Sequence, residues 1–287
     1  MSLAQRADPR IRPSFAEMLT SIPIGALIAA VAASGLFAAL QAALGSRGPL
    51  GRTNFTGDPI QTAGGLALVC GLLVAGAMDA ALLREIAVLF PFVIGGLLDD
   101  LFGTPAHKGF RGHLGALRRG RITTGLLKIG FGGAGALWAA ARVGSPHEIR
   151  FWSDTAVVAL MANLFNLLDL RPLRALKAYW FAALLLSQRS VGTLGVLLVG
   201  AIPYAGFEAR RRVMLGDTGA MLLGAALGVC AISAYPVLAR CLLAALLVVL
   251  HVWAERNSIS GFIARRPVLK AIDAFGWSQV SGPPSTE

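Results

Sequence analysis

Acidic residues are scarce in this chain, and their scarcity makes their placement informative. Asp and Glu together number 15 in 287 residues. Four aspartates stand at the ends of long apolar runs: Asp99 and Asp100 close one run, Asp169 closes another, and Asp217 lies near the start of a third. Asn163 and Asn166 precede Asp169 at helical spacing, so the three groups share one side of a helix. An ionisable group in or beside a membrane span is costly and marks function by default. Carboxylate and amide oxygens suit a hard cation such as Mg²⁺, which takes oxygen ligands and keeps some waters. Cationic loops around them would draw phosphates. Carboxylates, a hard metal and a basic rim are the parts of phosphoryl transfer, where catalysis is positioning and charge neutralisation. A cation-coupled transporter uses intramembrane carboxylates and glycine-broken helices as well.

The elements that must hold these groups follow from composition. Hydrophobic residues make up 55% of the chain and charged residues 14%, against roughly 25% charged in a soluble domain. Mean hydropathy is +0.67. These values exclude a disordered chain, a disulfide scaffold and an ordinary soluble α/β enzyme. A spanning helix needs about 20 mostly apolar residues, and nine runs qualify: 22–44, 60–78, 82–98, 122–141, 151–169, 172–187, 190–207, 213–234 and 236–254. The expected fold class is all-α, a polytopic integral membrane protein with about nine transmembrane helices. Residues 1–287 form a single domain, with an N-terminal segment at 1–21 and a cytoplasmic C-terminal segment at 255–287. Within the latter, residues 262–277 carry Arg265, Arg266, Pro267, Lys270 and Asp273 and read as a basic amphipathic helix on the membrane surface. Cys70, Cys230 and Cys241 lie in apolar runs without metal-like spacing and read as buried free thiols.

The net charge of +11 would suggest nucleic acid in a soluble protein. In a membrane protein it reads as the positive-inside rule, and no nucleic-acid partner is expected. An outside N-terminus gives roughly a two-to-one excess of Lys and Arg on the cytoplasmic side. All four aspartates then fall on that face, within a cationic rim.

Four stretches in order resemble one family. Residues 54–65 read NFTGDPIQTAGG, residues 96–103 GLLDDLFG, residues 163–169 NLFNLLD, and residues 215–224 LGDTGAMLLG. They are similar to the motifs of the polyprenyl-phosphate N-acetylhexosamine-1-phosphate transferases, which include the phospho-MurNAc-pentapeptide transferases of peptidoglycan synthesis. The resemblance covers roughly residues 50–225. It implies transfer of a sugar-1-phosphate from a UDP-sugar to polyprenyl phosphate, with Mg²⁺, releasing UMP, on the cytoplasmic face of the plasma (inner) membrane. By position it implies Asp217 as the metal ligand and Asp99 and Asp100 as catalytic aspartates. Asn166 and Asp169 would face the nucleotide, with Asn163 in support. Lys108 and Lys128 are candidates for phosphate-contacting lysines, and Arg111 and His113 could also touch phosphate. A homodimer is a candidate assembly.

The chain also departs from that family. The third motif continues as Leu170-Arg171-Pro172-Leu173, without the second aspartate, and Pro172 is placed to start the next helix. No histidine cluster follows the ninth run, where residues 251–260 read HVWAERNSIS. These departures motivate an alternative, a degenerate paralogue that binds lipid phosphate or a partner without turnover. Plainer readings stand beside each candidate. Asp217 could pair with Arg210, Arg211 or Arg212, the Asn163–Asp169 series could be an interhelical seam, and Lys128 could snorkel. Asp154 and Lys177 read as topology or packing features.

Overall fold

A computed structural model of the chain describes residues 22–45, 47–53, 57, 59–103, 115–186 and 192–276. Each apolar run holds a helix in its described part, and the run at 60–78 begins in a strand. Helix α1 (Ile24–Leu44) leads into a hairpin of β1 (Gly51–Thr53) and β2 (Pro59–Gln61). There follow α2 (Gly65–Met78), α3 (Ala80–Ala87), α4 (Phe90–Phe102), α5 (Thr124–Ala141), α6 (Ile149–Leu168), α7 (Arg174–Leu186), α8 (Gly192–Ala209), α9 (Gly216–Ala234) and α10 (Val237–Ala254). Two short helices, α11 (Ile259–Ala264) and α12 (Pro267–Ala274), complete the described chain. The protein is a helical membrane protein. Among the described residues, α1, α6, α8, α9 and α10 are each long and apolar enough to cross a membrane, and the bent pair α3–α4 makes a sixth.

Burial follows the inside-out logic of a membrane solvent. In α1 the buried positions are Ala26, Ala30, Ser34, Ala38 and Gln41, one narrow stripe of mostly small residues. The large residues Ile24, Ile28, Leu36 and Leu40 point outward. Between helices in lipid, close packing of small residues replaces the hydrophobic drive of water. Helix α9 is the axis of the bundle and is buried on almost every side. It packs on α6, α4, α2 and α7. Gly224 permits its approach to α6, since a Cβ there would stand 2.7 Å from the Ala162 Cα.

The run expected as one span at 82–98 is two helices bent by 54°. Asp79 caps α3 by accepting from the Ala81 and Leu82 N–H groups. Pro91 stands at the start of α4, where proline fits a helix start but cannot continue a ladder from before it. The next helix begins at Arg174 and not at Pro172, because Leu173 adopts a left-handed φ of 61°.

The β-hairpin is a feature the sequence reading does not anticipate. Gly51 pairs with Gln61 and Thr53 with Pro59. Gln61 then bridges Val213 in parallel. The Gln61 carbonyl accepts from Met214 N–H at 2.8 Å, and the Met214 and Leu215 carbonyls accept from Gly64 and Gly65 at 2.8 and 2.9 Å. This strand-like splice ties the N-termini of α2 and α9 together.

The basic C-terminal segment is two helices and not one. The chain breaks at Arg265–Arg266, and Pro267 restarts it. The Arg174 guanidinium grips Asp273 through two bonds of 2.6 and 2.8 Å and donates to Ser260 at 2.9 Å. Lys177 Nζ donates to the carbonyls of Ile272, Asp273 and Phe275 at 2.7, 2.7 and 3.0 Å. A lysine there satisfies the orphan carbonyls and negative dipole end of α12.

Candidate active site

Alternating helices bring one set of helix ends to one face. The C-terminal ends of α4 and α6 meet the N-terminal ends of α5 and α9 there, and this meeting places the sequence-selected residues. Lys128, in the second turn of α5, is the hub. Its Nζ lies 2.9 Å from Asp99 Oδ2 and 2.8 Å from Asp217 Oδ2. With its amide nitrogen turned toward Asp217, Asn166 donates to that carboxylate and accepts from Lys128 Nζ at 3.1 Å. Asp99, Lys128, Asn166 and Asp217 thus form one bonded cluster from four helices.

Asp100 has a different job from its neighbour. It is buried, and both its oxygens are used. Oδ1 accepts from Thr62 Oγ1 and from the Asp217 N–H, both at 3.0 Å. Oδ2 accepts from the Thr218 N–H at 2.9 Å and from Thr218 Oγ1 at 2.5 Å. The carboxylate therefore caps the N-terminus of α9, where orphan N–H groups and the helix dipole favour negative charge. Aspartates at the C-terminus of their own helix oppose its dipole. Arg52 compensates: its Nη2 donates to the Asp100 and Leu101 carbonyls at 2.8 and 3.1 Å. Gly96 makes the approach of α4 to α9 feasible, because a Cβ there would stand 2.5 Å from the Asp217 carbonyl oxygen.

Asp169 is buried just beyond α6. Its carboxylate lies near the Gly216 backbone N–H, with Asp100, Asp217 and Glu208 as acidic neighbours. Asp99, Asp100, Asn166, Asp169, Asp217 and Arg52 line a cavity of about 320 Å³. Asn163 stands apart from it. It lines a larger groove of about 400 Å³ between α5 and α6, with Ile129, Leu160, Leu167 and Met221 as apolar walls and Glu255 also in its lining. Lys128 and Asn166 line that groove as well, and Asn166 borders both spaces. Lys108, Arg111 and His113 lie outside the described residues.

Among the described residues, three non-glycine positions have left-handed backbone: Ala63, Leu173 and Arg211, with φ of 55°, 61° and 55°. Such conformations cost of order 1–3 kcal/mol each and gather at functional sites. Ala63 follows Thr62, and its carbonyl accepts from Gln41 at 3.0 Å. Leu173 donates its N–H to Glu208 at 3.1 Å. Arg211 shares with Asp169 and Glu208 the lining of a smaller cavity of about 170 Å³.

Several sequence alternatives are now resolved. Asp217 pairs with Lys128, a partner other than the Arg210–Arg212 run. Asp154 is a packing group, bonded to Arg240 of α10 at 2.6 Å. Arg52, Thr62 and Thr218 were not singled out from the sequence. Thr62 and Thr218 lie inside the first and fourth motifs, next to residues that were, whereas Arg52 looks like any loop arginine.

Chemically, the cluster offers hard oxygens in excess of cation. Two carboxylates share one ammonium, and the carboxyl groups of Asp100 and Asp169 line the same cavity. That balance attracts a cation, while Lys128 can meet a phosphate oxygen. Among the described residues, no group of three His, Cys, Asp or Glu side chains is placed to hold a metal ion. The donors that suit Mg²⁺ are the Asp99 and Asp217 carboxylates with the Asn166 amide, and Lys128 now bridges the two carboxylates. No protein-family model matches the chain, and no curated protein matches it in sequence.

Proposed function

We propose that the protein is a phosphoglycosyl transferase that moves a sugar-1-phosphate from a UDP-N-acetylhexosamine-type donor to polyprenyl phosphate, for cell-envelope glycan synthesis. An oxygen of the lipid phosphate attacks the β-phosphorus of the donor. The bond from that phosphorus to the oxygen bridging to the α-phosphate breaks, and UMP leaves. The observation that carries this reading is the junction of two spaces at one cluster. A cavity lined by carboxylates and a larger groove between α5 and α6, walled by Ile129, Leu160, Leu167 and Met221 with Lys128, Asn163 and Glu255 among its polar residues, both reach Asn166. A soluble donor suits the first and a prenyl chain the second.

Roles follow from accessibility and bonding. Asp99 touches the acceptor phosphate and orients it, and Lys128 neutralises transferring phosphate oxygens. Asn166 and Asp169 face the nucleotide, with Asn163 in the groove beside the lipid. Lys108 and Arg111 are proposed as further phosphate contacts. Asp100, fully bonded, is a positioning residue for Asp217. Asp217, with Asp99, would hold Mg²⁺, which when bound supplies positive charge against the donor diphosphate. We place nine crossings in the plasma (inner) membrane, with the cluster facing the cytoplasm. The face is supported by the two-to-one excess of Lys and Arg that an outside N-terminus places there, and nine crossings need α2, α5 and α7 to cross beside the six spans that are long and apolar enough.

A second reading, lipid-phosphate binding without turnover, is favoured by one observation: the Lys128 ammonium fills the point between the two carboxylates. One experiment separates the two. Purified full-length protein is given undecaprenyl phosphate, Mg²⁺ and a panel of UDP-sugars labelled in the sugar. Label appearing in the lipid phase supports the transferase. Lipid-phosphate binding with no label transferred from any donor leaves only the binding reading.

A further inference from the structure

We infer that the C-terminal helical hairpin, α11 and α12, is a recognition surface for the headgroups of anionic phospholipids. The inference rests on the membrane location of the chain and is independent of the transferase reading. Span α10 ends at Ala254 and α11 begins at Ile259. The four intervening residues, at most about 18 Å of extended chain, keep the hairpin close to the bilayer interface. Helix α12 presents Val268, Leu269 and Ile272 to the outside, joined by Phe275 just past its end, and Val268 and Phe275 are 71% and 76% exposed. These positions recur at helical spacing and make one apolar face.

The cations are arranged beside that face. Arg256, Arg265, Arg266 and Lys270 are all exposed. The Arg266 guanidinium lies 3.5 Å from the Phe262 ring centroid, which holds it over an aromatic face. The one aspartate of the hairpin, Asp273, is already matched by Arg174. Asp273 therefore does not cancel the outer positive charge, and the hairpin is pinned to α7 at the membrane edge with net positive charge outward. A cavity of about 150 Å³ lies under it, lined by Arg174, Ser260, Lys270 and Asp273. An apolar face that enters the acyl boundary, flanked by cations at headgroup depth, fits an anionic leaflet better than a protein partner or a neutral one.

The test compares full-length protein in nanodiscs of phosphatidylcholine alone and of phosphatidylcholine mixed with phosphatidylglycerol. Hydrogen exchange of residues 259–275 is followed by mass spectrometry. Anionic lipid is expected to slow exchange on the order of tenfold, since each lysine or arginine near an anionic surface contributes and several act together. High salt should erase the difference. The R265Q/R266Q/K270Q variant should lose it as well, with exchange in residues 216–234 unchanged as the check on folding. Equal exchange in the two lipid mixtures overturns the inference. So does protection by phosphatidylglycerol that persists in the triple variant. Inorganic phosphate added to phosphatidylcholine nanodiscs should give no protection, and equal protection by phosphate overturns the lipid assignment.

Discussion

Helix α6 carries a carboxylate near each end, and the two are treated in opposite ways. Near its N-terminal end Asp154 is wholly buried and bonded to Arg240, whose side chain is 7% exposed, at 2.6 Å. One charge meets one charge. At its C-terminal end the same helix offers Asn166 and then Asp169 to a cluster in which Lys128 is shared by Asp99 and Asp217. These three side chains are 15%, 19% and 23% exposed, and the cluster opens into a cavity. The first pair joins α6 to α10 and has no excess charge to offer a ligand. The second sets two carboxyl groups against one ammonium and keeps access to solvent. A membrane interior tolerates both, but only the second borders a cavity from which a ligand could enter. Burial, charge balance and access therefore separate a fastening from a site, although both are carboxylate–cation contacts.

Substitutions should break the two regions differently. Asp217→Asn removes the central carboxylate of the open cluster while keeping its shape. UMP release should fall on the order of a thousandfold, with the melting temperature in detergent nearly unchanged. Arg240→Gln should do the reverse. It leaves Asp154 buried without its partner, at a cost of about 3–5 kcal/mol. That loss should appear as a large fall in thermal stability, while turnover per folded molecule is kept. Replacing both partners by apolar residues, Asp154→Leu with Arg240→Met, should restore most of that stability. A double variant as unstable as Arg240→Gln would show that the pair does more than fasten α6 to α10.

The next effects are smaller. Lys128→Met leaves Asp99 and Asp217 facing each other without their shared cation. Water can reach them, so the cost should fall on activity, on the order of a hundredfold in kcat/KM, more than on stability. Thr218→Val removes one hydroxyl bond to the capping Asp100 and keeps the backbone bond. Hydrogen bonds to a charged group are worth about 1.5–3 kcal/mol, so a loss of roughly tenfold in turnover is expected through the displaced α9 terminus. An unchanged rate would remove Asp100 from the set of positioning residues.

Much of the helical architecture was legible because apolar runs of span length have few other outcomes. The meeting of Asp99, Asn166 and Asp217 at one cluster follows from their common placement at the ends of apolar runs, whereas Asp154, inside a run, is a fastening. What was not legible is pairing across the fold. Lys128 lies 89 residues from Asp217 and 29 from Asp99, and no local spacing distinguishes it from a snorkelling lysine. Asp99 and Asp100 look alike in sequence, yet successive helical residues point about 100° apart. One therefore faces the cavity while the other caps α9. Arg52 passed as a topology charge, because its role depends on a three-residue strand pairing that only tertiary contact stabilises. Pro91 did announce the break between α3 and α4, but the continuous apolar run around it masked the signal. The restart at Pro267 was masked in the same way by the amphipathic pattern on both sides.

The transferase proposal has the open cluster move a sugar-1-phosphate from a nucleotide sugar to a lipid phosphate. It is tested most directly by the rate of UMP release from UDP-N-acetylhexosamines, measured with and without polyprenyl phosphate, using the full chain and Mg²⁺. UMP release should require the lipid phosphate and rise with its concentration to saturation. UMP release that ignores the lipid, or no UMP from any donor, would contradict it.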